Sequence, residues 1–135
     1  MRTVRDVMHG DIEVLRTTES AADAATYLAA RDEDRVPLCL SDGRLAGTVT
    51  AHDIVTKVVA KGLDPRQVVL GTLVDPDDAL ALDVDLPVDE AVALMCASQR
   101  GRLPVTEGRR VVGVVTRRDA ARALAFLPPW ADSED

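Results

Sequence analysis

The chain has 135 residues, 47% of them apolar, and carries a net charge of −7, which bounds it to one small domain or two short repeats folding as a unit. That acidity argues against a nucleic-acid partner, which would call for a basic face. With Tyr27, Phe126 and Trp130 as its aromatics, its core must be built from Val, Leu and Ala.

In chain order, Thr3 to Met8 is predicted as a short strand leading into a turn, and Ile12 to Leu15 as a brief extended piece. Ser20, with Asp23 three residues on, opens a helix whose apolar face is Ala21, Ala24, Ala25 and Leu28. Val36 to Leu40 is an apolar strand, Ser41-Asp42-Gly43 a turn, and Leu45 to Val49 the returning strand of the hairpin. Thr50 opens a second helix through Ile54, Val55, Val58 and Val59 that stops near Gly62. The second copy begins near Val69, with a helix from about Pro87 to Gln99 and a hairpin across Leu103 to Val115 that turns at Gly108. Its last helix runs from Thr116 to before Pro128-Pro129, and the acidic tail after it is expected to fray.

The two halves repeat one another. Val49-Thr50-Ala51-His52-Asp53 returns as Val115-Thr116-Arg117-Arg118-Asp119, each with a glycine two residues upstream, Gly47 and Gly113. Arg35-Val36-Pro37 returns as Arg102-Leu103-Pro104, and the offset stays at 66 or 67 residues throughout. Two copies of one strand-helix-strand-strand-helix unit are therefore expected, with repeat 1 over 1–62, a linker over 63–68, repeat 2 over 69–127 and a tail over 128–135. Each copy, at roughly 60 residues, is marginal alone. Face-to-face packing follows, with ligands expected in paired clefts between the copies.

The paired Gly-x-Val-Thr-x-x-Asp segments, Val4-Arg5-Asp6-Val7-Met8 and the Arg-x-Pro strands resemble the cystathionine-β-synthase (CBS) domain over about residues 3 to 126. The layout, with Gly62-Leu63-Asp64-Pro65 between the copies, is also similar to small stand-alone actinobacterial CBS proteins of the hypoxic-response type. The resemblance implies an α+β fold of two β-α-β-β-α repeats packed with pseudo-twofold symmetry. It also implies a regulatory role in which AMP, ADP, ATP or S-adenosylmethionine sits in the clefts, and a disc-shaped homodimer.

Thr50 with Asp53, and Thr116 with Asp119, each stand where an apolar strand becomes a helix. Unpaired N–H groups and the positive end of the dipole suit an anion there. An aspartate at the third helical position can accept from both hydroxyls of a ribose. Thr-x-x-Asp is equally a capping box, and the two roles are compatible. Arg117 and Arg118 suit phosphate oxygens, or else form a solvated helix face. Family analogy points to Val4, Val7, Val36, Pro37, Leu70, Leu73, Leu103 and Pro104 around the adenine ring; core packing is the plainer reading of the same residues.

His9 and His52 adjoin no nucleophile, and with Cys39 and Cys96 they show no metal-ligand spacing, so neither enzyme chemistry nor a metal is expected. Both cysteines lie in apolar runs and are expected as buried free thiols. No apolar run spans a bilayer and no secretory leader is present, so a cytoplasmic protein without a membrane partner is expected. The ligand-sensing module would signal to an unknown protein partner or through its own oligomer. The alternative is a ligand-free dimeric interaction module with vestigial clefts.

Overall fold

The computed structural model describes residues 2–10 and 14–125. They form two compact units, one of residues 14–80 with 109–111, the other of residues 2–10, 81–108 and 112–125. Each contains a three-stranded sheet.

In the first-repeat unit, β1 (Leu15–Arg16) leads to α2 (Ala21–Arg31). Ser20 starts this helix as the spacing predicts: its hydroxyl accepts from the Asp23 N–H and its own N–H donates to the Asp23 carboxylate, both at 3.1 Å. The hairpin of β2 (Arg35–Cys39) and β3 (Leu45–Thr50) is antiparallel, with a bulge at Leu38/Cys39, and β1 runs parallel to β2. The helix from Thr50 begins as α3 (Ala51–Ile54) and continues as a π-turn, Val55–Val59. It ends at Val59, and the turn that follows carries Gly62 with φ of 72°. Val69 leads into a 3₁₀ turn, Leu70–Thr72, and Leu70 and Leu73 join the core with Ala21, Leu28, Val36, Leu38 and Val58.

The second-repeat unit follows the same plan with β4 (Leu82–Asp83), α4 (Val88–Ser98), β5 (Arg102–Glu107), β6 (Arg110–Thr116, of which residues 112–116 belong to this unit) and α5 (Arg117–Ala125), its sheet ordered β4-β5-β6. The N-terminal segment packs here. It is a one-turn helix, α1 (Val4–Val7), rather than the expected strand, because Asp6 accepts from the Thr3 N–H at 2.9 Å and closes a cap. Val4 is fully buried, and its N–H donates to the Leu86 carbonyl at 2.9 Å. The core includes Val4, Leu82, Val84, Met95, Leu103, Val105 and Val115, with no aromatic side chain among the described residues. Of the cysteines, Cys39 is buried as expected, whereas Cys96 is exposed: it falls off the inward stripe of α4, which is Val88, Ala91 and Met95. Phe126, Trp130, the expected end of the last helix before Pro128 and the tail over 128–135 lie outside the described residues.

Candidate functional site

Both Thr-x-x-Asp pairs stand at the end of a sheet strand, and the loop before each hairpin fixes the helix that follows. The Ala51 N–H donates to the Asp34 carbonyl and the Arg117 N–H to the Gly101 carbonyl, each at 2.8 Å. The third helical N–H is also taken, Asp53 by the Thr50 hydroxyl at 3.0 Å and Asp119 by that of Thr116 at 3.1 Å. The His52 and Arg118 N–H groups between them take no part in these bonds.

The two carboxylates differ in what holds them. Asp53 closes a reciprocal capping box, accepting the Thr50 N–H on Oδ2 at 3.0 Å, while Lys57 Nζ lies 3.3 Å from Oδ1. Burial alone would raise this carboxyl, but the Thr50 N–H and hydroxyl and the Lys57 ammonium together hold it below the usual range. On Asp119, both bonds fall on Oδ2: the Thr116 hydroxyl donates at 2.7 Å and His9 Nε2 lies at 2.5 Å. Thr116 first, then His9, lowers this carboxyl.

His9 is the residue the sequence reading leaves idle. Its backbone is tied to Val114 by two hydrogen bonds, of 2.8 and 3.0 Å. Thr48 and Asp75 make the corresponding bridge in the first repeat. The repeat offset of 66 residues carries His9 onto Asp75, and this was the available signal that position 9 faces the hairpin. Each bridge needs a glycine one residue before its hairpin partner: a Cβ on Gly47 would stand 2.3 Å from the Asp75 carbonyl oxygen, and one on Gly113 would stand 2.8 Å from that of His9.

The remaining expected contacts divide between the units. Val4, Val7, Leu103, Pro104, Arg117 and Arg118 share a unit with Thr116 and Asp119, and Val36, Pro37, Leu70 and Leu73 share one with Thr50 and Asp53. Val4, Val36, Leu70, Leu73, Leu103 and Pro104 are buried, Val7 and Pro37 partly so, and Arg117 and Arg118 are exposed. A hollow of about 440 Å³ lies at the head of α5, lined by Val92, Cys96, Gly101 and Ala121 together with Thr116, Arg117 and Arg118.

Two β-α-β-β-α units, each ending in a glycine-bearing strand that runs into a Thr-x-x-Asp helix start, define a tandem CBS-type module. The CBS domain family model matches residues 4–60 and 74–126, and the chain belongs to that family. It is 36% identical over 124 residues to Hypoxic response protein 1 of Mycobacterium tuberculosis, spanning 92% of this chain and 86% of that protein. A crystal structure of Hypoxic Response Protein I with two coordinated zinc ions matches with a TM-score of 0.75 at 36% identity, over 91% of this chain and 99% of that one. The CBS domain pair of protein MJ0100, in complex with 5-methylthioadenosine and S-adenosyl-L-methionine, matches with a TM-score of 0.68 at 25% identity, over 91% and 99% of the two chains. Among the described residues no group of three or more His, Cys, Asp or Glu is placed to hold a metal ion. No described helix is long and apolar enough to cross a membrane.

Proposed function

We propose that this CBS pair is a non-catalytic regulatory module that binds an adenosine-containing ligand at its Thr-x-x-Asp helix openings. AMP, ADP, ATP and S-adenosylmethionine are the candidates, and the signal passes to a protein partner or to a homodimer of the chain in the cytoplasm. The observation that carries this reading is an ionised, largely buried aspartate at the third helical position of each opening, its side chain 18% exposed at Asp53 and 22% at Asp119. Each carboxylate can accept from a vicinal ribose diol, while buried aliphatic side chains of the same unit suit a flat base. The adenosine compounds bound by the MJ0100 pair support that ligand class. Arg117 and Arg118 at the head of α5 suit a phosphate and make the second-repeat opening the better one for a nucleotide. Regulation follows by population shift, the ligand favouring whichever packing completes its contacts.

A thermal-shift panel tests this. A ligand at about 100 times its Kd adds roughly 2.7 kcal/mol, which at this size raises Tm by several degrees. Asp53→Ala and Asp119→Ala should each reduce the shift while circular dichroism stays native. Sedimentation velocity checks the homodimer.

A ligand-free interaction module is the second reading, favoured by Val55, Val59, Leu63 and Val69, which are apolar and exposed on the first-repeat unit. It takes precedence if no adenosine compound moves Tm.

A further inference from the structure

We propose that His9 is a specificity-determining residue that makes the two openings unequal, because its ring competes with an incoming ligand for the Asp119 carboxylate. The inference rests on the adenosine reading above and assigns His9 to the regulation of that same site.

The competition is built in by the backbone. His9 is pinned to Val114 by the two-bond bridge, and the close approach that Gly113 permits brings the ring to Asp119 from a fixed base. The Asp119 Oδ2 that it meets already holds the Thr116 hydroxyl. A diol that takes both carboxylate oxygens must therefore turn the imidazole away. The ring can leave, since its side chain is 60% exposed.

Among the described residues, nothing comparable stands at the first-repeat opening. There the bridging residue is Asp75, an acceptor whose Oδ1 is engaged by the Asp77 N–H at 3.0 Å. The cation beside Asp53 is Lys57, a long, half-exposed side chain one turn along the same helix, which swings aside with little loss. A neutral nucleoside should thus prefer the Asp53 opening. Protonation sharpens the difference, because an imidazolium holds a carboxylate more strongly than a neutral ring does.

The other charged groups on the elements around His9 are guanidiniums and carboxylates, classes whose reference values lie outside about pH 5.5 to 8. On α5 these are Arg117, Arg118 and Arg122, the last placed to act on Asp119. On α1, Arg5 is paired with Glu107 and Asp85, and Asp6 closes the Thr3 cap. On α4 they are the exposed Asp89 and Glu90, and β6 carries no charge over 112–116.

The test is calorimetric titration with adenosine, which lacks a phosphate that an imidazolium would attract. An Asp53→Ala background isolates the second-repeat opening, and the pH is set near 8 and near 5.5, across the range where imidazoles titrate. With His9 present, affinity should fall on acidification. His9→Ala should tighten binding about two- to five-fold near pH 8, the worth of an exposed pair, and by more near pH 5.5, removing the pH dependence. His9→Asn, which keeps a neutral donor, should also remove the pH dependence with a smaller gain. Equal affinity with and without the imidazole, or a pH dependence that survives both substitutions, overturns the proposal and leaves the adenosine reading standing. So does adenosine binding to the unmutated chain but not to Asp53→Ala in either His9 state. Absence of adenosine binding to every form overturns the proposal, and the adenosine reading falls with it only where no compound of the thermal-shift panel moves Tm.

Discussion

A carboxylate buried like that of Asp53 stays ionised only if its neighbours outweigh the loss of water, and here the Thr50 N–H, the Thr50 hydroxyl and Lys57 do so. Asp119 reaches the same state through Thr116 and His9. Both therefore bind a proton less readily in the folded protein than in the unfolded chain. Their contribution to stability is complete above the ordinary aspartate range, about pH 3.9, and is lost as pH falls through it toward the lowered folded values. Asp53→Ala should cost about 1 kcal/mol near neutrality, the usual worth of a cap. It should also flatten the decline of Tm between about pH 5 and 3. Melts followed by circular dichroism at stepped pH check this, and an unchanged acid slope would exclude Asp53 from the linkage. The cysteines separate by the same logic. Burial pushes the Cys39 thiol up against the lowering influence of Arg16, and Cys96 is exposed. A chromogenic disulfide should label Cys96 in the native protein and Cys39 only after unfolding; two equivalents reacting at one rate would contradict that burial.

Glycines separate close approach from backbone freedom at the scale of elements. Gly62 combines φ of 72° with open space around a would-be Cβ, so Gly62→Ala should cost only about 1 kcal/mol. Gly47, in β3 with φ of 147°, would drive its Cβ into the Asp75 backbone, which is not free to give. Gly47→Ala should cost about 2–3 kcal/mol or prevent folding, and comparing the two melting points is the measurement. The helix ends offer a gain. Asp32 and Gln99, one repeat apart, hold the left-handed conformation at the C-caps of α2 and α4, with φ of 52° and 57°. Asp32→Gly and Gln99→Gly should each raise stability by about 0.5–1 kcal/mol, read as a higher Tm; a drop would mean the side chain outweighs its backbone strain. These elements also mark what the residues reveal unaided. Ser20 with Asp23 and Thr50 with Asp53 announce their helices because a capping box is local, three residues across. The Thr3–Asp6 box was just as local, but the apolar Val4 and Val7 read as strand beside it. No short-range pattern marks the π-turn at Val55–Val59. The His9–Asp119 contact spans 110 positions and is visible only when the repeat offset maps His9 onto Asp75.

Chain order and packing order part company in the molecule as a whole. Residues 2–10 precede the first repeat yet pack with residues 81–108 and 112–125, while the segment up to residue 80 packs with the first repeat. The offset of 66 or 67 predicts two copies of one unit but not this exchange, since both copies carry similar apolar segments ahead of their first strand and either would satisfy the pattern. The exchange gives the N-terminal segment a measurable role. Deleting residues 2–10 removes the buried Val4 side chain, worth about 1.5–3 kcal/mol. It also removes the Val4–Leu86, Arg5–Val84 and His9–Val114 backbone bonds, at about 1 kcal/mol each. The Val88 N–H would lose its bond to the Arg2 carbonyl and the Val114 N–H its bond to His9. Hydrogen exchange on the truncated chain should therefore show those two amides losing protection. The amides of Thr48 and Leu70, whose partners are Asp75 and Glu19, should keep theirs. A uniform loss across all four would mean that the two cores open together; selective loss at Thr48 and Leu70 would reverse the assignment of the N-terminal segment.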